Sequence, residues 1–186
     1  SGSFSLVEDF GYTGKVEYQG LPGTTIAASF YYGNSGQGAK DSLGTITAAT
    51  SIVSAHVEFT YKGFELRALV AQTHLDQAGR VSVLARKTIA SKTNGWYVVG
   101  GYDLIPLLAP GSEQSLIPFV QYEKLNTHAE VDAGFAANPA NSRSALTFGI
   151  NYKPHPNVAF KFDYTDANNR AGTGINQWNL AVAYLY

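Results

Sequence analysis

The sequence predicts an all-β protein, an antiparallel transmembrane β-barrel of which about nine strands are visible. Three observations predict it. Apolar side chains recur at every second position, aromatic residues lie where these runs end, and the connections alternate between short and long. The chain has 186 residues, and we expect residues 1–186 to form one β-barrel domain.

The composition excludes several classes of protein. A formal net charge of -1 argues against a dedicated nucleic-acid binder, and the 13% aromatic content argues against a disordered chain. The chain contains no Cys, so it has no disulfide, no thiolate nucleophile and no Cys-ligated metal site. No apolar run approaches the ~18 residues of a transmembrane helix.

The predicted strands follow from a period of two in the hydrophobic pattern. In the last of them, Trp178, Leu180, Val182 and Tyr184 alternate with small or polar residues. The same alternation runs through the whole chain and places apolar positions within residues 12–18, 26–32, 55–61, 64–70, 96–104, 116–122, 146–152, 158–164 and 178–186.

The opposite face of these strands carries their charged side chains. A barrel with this pattern turns its apolar face to lipid and encloses a polar lumen. We therefore predict as pore-lining residues Lys15, Glu17, Glu58, Glu65, Arg67, Asp103, Glu123, Lys161 and Asp163. Glu58 and Arg67 flank the Lys62-Gly63 turn, where they are expected to be neighbours, either as a salt bridge that stiffens the wall or as permeation residues.

Aromatic residues end the apolar runs, as in the girdles that flank the lipid-facing band of a barrel. The predicted lipid-facing girdle comprises Trp96, Tyr102, Tyr122, Tyr152, Tyr164, Trp178, Tyr184 and Tyr186. Aromatic residues are common in all strands, so a soluble antiparallel sheet protein with a ligand-binding polar cavity remains an alternative.

The connections indicate an orientation. Residues 19–24, 62–63, 105–113 and 153–157 form short connections, whereas residues 33–53, 73–94, 125–143 and 167–175 form long ones. Outer-membrane barrels have short periplasmic turns and longer extracellular loops. We therefore predict a bacterial outer-membrane location, in contact with outer-membrane lipid and lipopolysaccharide.

One long connection is a candidate constriction loop. Its basic residues are Arg80, Arg86 and Lys87. The apolar positions of this segment, residues 81, 84, 85 and 89, fit helical spacing better than alternation. The loop is expected either to fold inward and narrow a pore, or to lie exposed on the rim or on lipopolysaccharide.

Catalytic and metal-binding patterns are not found in the sequence. His56, His74, His128 and His155 lack metal-ligand spacing. His74 and Asp76 near the rim are two members of a conceivable catalytic set, but no nucleophile accompanies them at a defined spacing. We predict no enzyme activity, no metal and no cofactor.

Five short stretches occur in a specific order along the chain, namely residues 14–24 (GKVEYQGLPGT), 64–68 (FELRA), 95–103 (GWYVVGGYD), 117–123 (IPFVQYE) and 149–157 (GINYKPHPN). In this order they resemble the phosphate-selective porin O and P family of bacterial outer-membrane porins. The resemblance covers the C-terminal half of family members. It implies that the chain is half of a larger barrel of about 16–18 strands, a passive channel for ions and small hydrophilic solutes, often a homotrimer. The acidic excess on the predicted lumen face departs from the basic pore of phosphate-specific members.

An odd number of strands raises the question of how the barrel closes. The first and last strands run in the same direction, whereas a closed antiparallel barrel from one chain needs an even number. Further chain, a partner, or an additional strand near Phe4 and Leu6 is expected to complete the sheet. The main functional alternative is a small non-conducting barrel that acts in adhesion or binding through its extracellular loops.

Overall fold

A single antiparallel nine-stranded sheet dominates the structure, a computed structural model that describes residues 9–185. Its strands are β1 (Gly11–Leu21), β2 (Thr24–Asn34), β5 (Ala49–Tyr61), β6 (Phe64–Leu75), β7 (Ala90–Tyr102), β8 (Ser115–Val131), β9 (Ser142–His155), β10 (Val158–Asn169) and β11 (Gln177–Tyr184). They lie side by side in chain order. The nine predicted strands are thus confirmed, but the sheet is open, since β1 and β11 are not paired with each other among the described residues.

The connections carry the remaining elements. A small hairpin of β3 (Lys40–Asp41) and β4 (Gly44–Thr45) lies between β2 and β5, and helix α1 (Ala78–Ala85) lies between β6 and β7. Helix α2 (Ile105–Leu108) follows β7, and a 3₁₀ turn (Pro139–Asn141) precedes β9. The helical spacing is confirmed for α1, but Ile89 lies beyond the end of that helix.

The Lys62-Gly63 connection shows how the sequence sets the strand register. Both residues have positive φ, 49° and 84°, which is the requirement of a two-residue type I′ hairpin turn. The turn pairs Tyr61 with Phe64 and therefore makes Glu58 and Arg67 direct register partners. The predicted adjacency of these two charged residues is confirmed.

Strand ends near the long connections differ from the sequence prediction. All six strands from β5 to β10 extend further than the alternation indicated, while Leu104 lies outside β7. The predicted rhythm is also less strict than expected, because the 103–114 connection is longer than the 132–141 connection. We call the end of the sheet with residues 35–48, 76–89, 132–141 and 170–176 the loop end, and the opposite end the turn end.

The two faces of the sheet differ in exposure. On the face that carries Val16 and Leu180, which are 76% and 74% exposed, large apolar side chains stand in solvent. On the other face, Ala27, Phe119 and Asp163 are buried, at 2%, 7% and 5%. Because no second layer formed by residues 9–185 covers either face, this asymmetry indicates a sheet that curves with its polar face on the concave side. We call the two surfaces the apolar face and the polar face.

Three residues of the sequence predictions are not covered by this description of the fold. Phe4, Leu6 and Tyr186 fall outside the described residues. None of the helices within residues 9–185 has the length and apolar character needed to cross a membrane.

Candidate functional site

Aromatic side chains form two belts on the apolar face. The loop-end belt consists of Tyr12, Tyr32, Trp96, Tyr122, Tyr164 and Trp178. The turn-end belt consists of Tyr18, Tyr61, Phe64, Tyr102, Tyr152 and Tyr184. On three strands one member of each belt is present, six residues apart (12 to 18, 96 to 102, 178 to 184), which is about 20 Å along a strand. The seven predicted girdle residues that the structure describes thus fall into two separate levels.

The belts run obliquely to the hydrogen-bonded rows of the sheet. One row of register partners starts at Trp178 and continues through Tyr164, Phe148, Val120, Gly100, Leu66 and Phe59 to Thr24. Trp178 belongs to the loop-end belt, whereas Thr24 lies eight residues (24 to 32) from Tyr32, the belt member of β2. Tyr12 is paired with Tyr32. The belt therefore shifts by eight residues across the sheet.

This shift gives the strand tilt relative to the belts. A strand rises ~3.3 Å per residue and neighbouring strands lie ~4.8 Å apart, so eight residues over eight strand steps correspond to a tilt of about 35°. The turn-end belt shifts equally, because Tyr18 and Tyr184 keep the same six-residue distance from Tyr12 and Trp178. The two belts are therefore parallel. Strands of β-barrels tilt by roughly 35–45°.

Charged residues beyond the loop-end belt correct the prediction that all strand charges share one face. Lys92, Lys124, Glu130 and Asp166 lie within the extended strands at positions of apolar-face parity. Lys92 Nζ pairs with Glu130 Oε1 at 3.0 Å. These charges lie on the loop-end side of the aromatic residues, so the surface between the belts keeps its apolar character.

Most predicted pore-lining residues lie on the polar face in local ion pairs. Lys15 contacts Glu17. Arg67 Nη2 lies 3.9 Å from Glu65 Oε2 on its own strand, so its ion pair is with Glu65 and not with its register partner Glu58. Glu123 accepts a hydrogen bond from Gln121 Nε2 at 2.9 Å.

Asp163 occupies the most enclosed position of this charged set. Its Oδ2 lies 3.2 Å from Lys161 Nζ, and its Oδ1 accepts a hydrogen bond from Asn179 Nδ2 at 2.9 Å. The opposing register partner is Gly149, and a Cβ built there would stand 2.5 Å from Asp163 Cβ. Glycine at 149 therefore creates the space that this carboxylate fills.

Asp103 has a structural role at the turn end that the alternation did not reveal. Its carboxylate accepts hydrogen bonds from Ser115 Oγ at 2.6 Å and from the backbone N–H groups of Ile105 and Leu116 at 3.0 Å each. Partial burial raises the pKa of Asp103, but these hydrogen bonds and the positive charge of Lys153 outweigh it and leave the pKa below its usual value. Asp103 thus fixes the start of α2 and of β8.

Arg80, predicted in the constriction loop, is held within the loop layer. Its Nε and Nη2 donate to Asp41 at 2.8 and 2.5 Å, and its Nη2 also donates to the Gly44 carbonyl at 2.9 Å. The hydrogen bonds from Arg80 lower the pKa of Asp41 to about 2. Gly79 N–H donates to Asp132 Oδ2 at 2.6 Å. Helix α1 thereby connects three long connections, and Arg80 is not free to face a lumen.

Lys87 lines a hollow beside the sheet, whereas its neighbour Arg86 is not among the residues that line it. Arg86 ends α1 with φ 52°. Lys87 borders a hollow of about 600 Å³ together with His128 and polar-face threonines of four strands, namely Thr50, Thr73, Thr93 and Thr127. The buried Ser82 holds the returning chain here, since its Oγ accepts from Ile89 N–H at 2.8 Å. Lys87 therefore lies beside the loop end of the polar face, and an inward position of the loop in a pore stays a prediction.

Two basic residues of the polar face escaped the sequence prediction. Lys153 lies at the end of β9, and Arg143 near its start borders a second hollow of about 500 Å³. The alternation of large apolar residues stops at Leu146 and Tyr152, so it places both basic residues in connections. Both residues have odd numbers, as does Thr147, whose side chain lies on the polar face of β9. This shared parity is the sequence signal that could have placed them on that face.

The histidines take part in local contacts. His74 Nε2 lies 3.0 Å from Asp76 Oδ1. His128 Nδ1 and His155 Nδ1 accept backbone hydrogen bonds from Asn138 and Asn157. Among residues 9–185, no group of three or more His, Asp or Glu side chains is arranged to hold a metal ion.

Comparison with known proteins gives one distant similarity. The chain is 23% identical, over 195 aligned residues, to an uncharacterized protein of Aquifex aeolicus (strain VF5). The match covers 100% of this chain and 43% of that protein, so the chain spans less than half the length of this relative. No family model matches the chain.

Proposed function

We propose that this chain forms part of a transmembrane β-barrel in a bacterial outer membrane and lines a water-filled channel for passive diffusion of ions and small hydrophilic solutes. One observation carries the proposal: a continuous, exposed apolar surface lies between two parallel aromatic belts, while the charged side chains occupy the concave face behind it. A contiguous exposed apolar surface of this extent is rare in soluble monomers.

The strand tilt supports the barrel part of the proposal. A tilt of about 35° relative to both belts is the geometry in which strands cross a bilayer while their aromatic residues stay at two fixed depths. A soluble sheet has no reason to keep two aromatic levels parallel across nine strands.

Closure requires strands beyond the nine described. An edge within hydrocarbon leaves unpaired N–H and C=O groups, each costing several kcal/mol. The Aquifex relative is more than twice as long as this chain, which supports a larger barrel to which further chain contributes. The resemblance to phosphate-selective porins and the homotrimer it implies are part of this proposal.

A conductance measurement tests the proposal that the chain lines a water-filled channel. The full-length protein, extracted in detergent from an outer-membrane fraction, is added to planar lipid bilayers. We expect discrete ohmic steps in potassium chloride. Heat-denatured protein at the same concentration serves as the control, and recovery only in the soluble fraction would contradict the membrane location.

A second function is favoured by the ordered loop end. The Arg80 to Asp41 and Gly79 to Asp132 contacts hold three long connections together, as a surface for adhesion or binding requires. A folded, bilayer-inserted protein without conductance would favour this non-conducting barrel over the channel.

A further inference from the structure

A row of three residues on the polar face places an aromatic ring between two glycines. Phe119 of β8 is paired with Gly101 of β7 on one side and Gly149 of β9 on the other. Neither glycine has a side chain to pack against the ring. A hollow of about 370 Å³ lies beside this row, with Val99 and Ala159 among its apolar walls. We call it the Phe119 hollow.

Three basic side chains from three strands border the same hollow. They are Arg67 of β6, Lys153 of β9 and Lys161 of β10. Lys161 Nζ lies 5.0 Å from the centroid of the Phe119 ring, within the range of a cation–π contact. Lys153 makes no ion pair or hydrogen bond with any residue of the described range 9–185.

The nearby carboxylates have their oxygens largely occupied. Asp163 uses one oxygen for Lys161 and the other for Asn179, and Asp103 accepts three hydrogen bonds at the turn end. Glu65 lies 3.9 Å from Arg67 and is the acid that borders the hollow. Arg67 and Lys161, with side chains 58% and 44% exposed, retain donors for a further anion.

We propose that the Phe119 hollow is a binding subsite for small organic carboxylates with an apolar body, of which benzoate is the simplest aromatic probe. The proposal rests on the proposed channel function for its access route. The carboxylate binds between Lys153 and Lys161, which are diagonal neighbours on β9 and β10 because Lys161 is paired with Asn151, and both offer charge-assisted N–H donors. The apolar body takes the place of the Lys161 ammonium over Phe119, beside Val99 and Ala159, where its surface leaves water.

This chemistry separates organic carboxylates from inorganic anions. Acetate and phosphate can use the three bases but gain nothing from the apolar walls. Burying even half of a phenyl ring corresponds to roughly tenfold in affinity, so benzoate is expected to bind at roughly tenfold lower concentration than acetate.

Lysine protection tests the subsite without requiring conductance. The full-length protein, folded in detergent, is treated briefly with an amine-acylating ester, and the modification of each lysine is measured by peptide mass spectrometry. We expect benzoate to slow acylation of Lys153 and Lys161 at concentrations where acetate and phosphate do not. Lys62 in the β5–β6 turn serves as the internal control and should be unaffected.

Two variants identify the source of the protection. Phe119→Ala should abolish the difference between benzoate and acetate, whereas Leu69→Ala, which removes another apolar side chain of the polar face outside the hollow, should preserve it. Both variants are first checked for heat-modifiable gel mobility. Equal protection by acetate, phosphate and benzoate would overturn the proposal, as would absence of benzoate protection in the folded wild type.

The outcomes separate this proposal from the channel. Protection by benzoate in a protein that does not conduct would keep the subsite and reject the channel. Conductance without protection would reject the subsite and keep the channel.

Discussion

Trp178 of β11 stacks on Phe162 of β10, with ring centroids 5.2 Å apart and ring planes 13° from parallel. Tyr164 approaches the same indole at 4.7 Å. Aromatic pairs of this kind contribute about 0.5–1.5 kcal/mol beyond their buried area. They secure the last strand of the sheet on its apolar side, while the Asp163 to Asn179 hydrogen bond secures it on the polar side.

A charge on the apolar face should prevent membrane folding. Val182→Arg is expected to block insertion into bilayers, because a cation at midplane depth costs roughly 2–4 kcal/mol. Ala183→Arg places the same side chain one residue further along, on the polar face, and should fold normally. Heat-modifiable gel mobility after refolding into lipid vesicles measures both. Equal behaviour of the two variants would contradict the assignment of the faces.

The Asp163 network should stabilise the end of the sheet. Asp163→Ala removes the partner of both Lys161 and Asn179 within a buried site, and we expect a loss of about 1–3 kcal/mol in the free energy of unfolding. Lys161→Gln should cost less, since its side chain is half-exposed. Urea titration of the folded protein followed by tryptophan fluorescence reports the change. A larger cost for Lys161→Gln would contradict this ranking.

The loop layer should loosen in acid. Because the pKa of Asp41 is lowered to about 2, its ionised form stabilises the loops fully above its unfolded pKa of about 3.9. This stabilisation is lost as the pH falls through 2. Pepsin cleavage within residues 35–48 and 76–89 should accelerate over this window. In Asp41→Asn, cleavage should be fast throughout, and a wild type that matched it at pH 4 would refute the ion pair's role.

Lys87, and not Arg86, should influence ion selectivity. Acids outnumber bases among the predicted lumen residues, so a channel is expected to lean weakly towards cations wherever Lys87 is not close. Screening acts over ~8 Å at physiological ionic strength. Lys87→Gln should therefore shift the reversal potential in a salt gradient towards cation preference, with Arg86→Gln as the matched control. A strong anion preference that survived both substitutions would contradict the prediction that these charged residues set the ion selectivity.

The alternation predicted the strands well because a half-buried sheet imposes a period of two on every residue between its ends. Phe160, Phe162 and Tyr164 point to one face for that reason alone. The strand ends were harder. Beyond Tyr122, β8 continues through polar residues such as Lys124 and Asn126, where both faces carry polar side chains and periodicity gives no signal.

The sequence predicted on which face of the sheet the charged residues lie, but not which residues they contact. Parity placed Asp103 near the polar face, yet its three hydrogen bonds depend on how the chain turns after β7. Arg80 likewise finds Asp41 across a distance of thirty-nine residues, a pairing that only the folded loops determine. Gly101 and Gly149, the register partners of Phe119, have no side chain to reveal a facing pattern.

The direction of the two outermost strands constrains any assembly from copies of this chain. β1 and β11 both run from the loop end to the turn end. Placing a second, identically oriented copy beside the first would bring β11 of one against β1 of the other in parallel, although the eighteen strands would make an even total. Simple tandem duplication or head-to-tail dimerisation would therefore not give an all-antiparallel ring. A closed, all-antiparallel ring built on this sheet would need an odd number of additional strands.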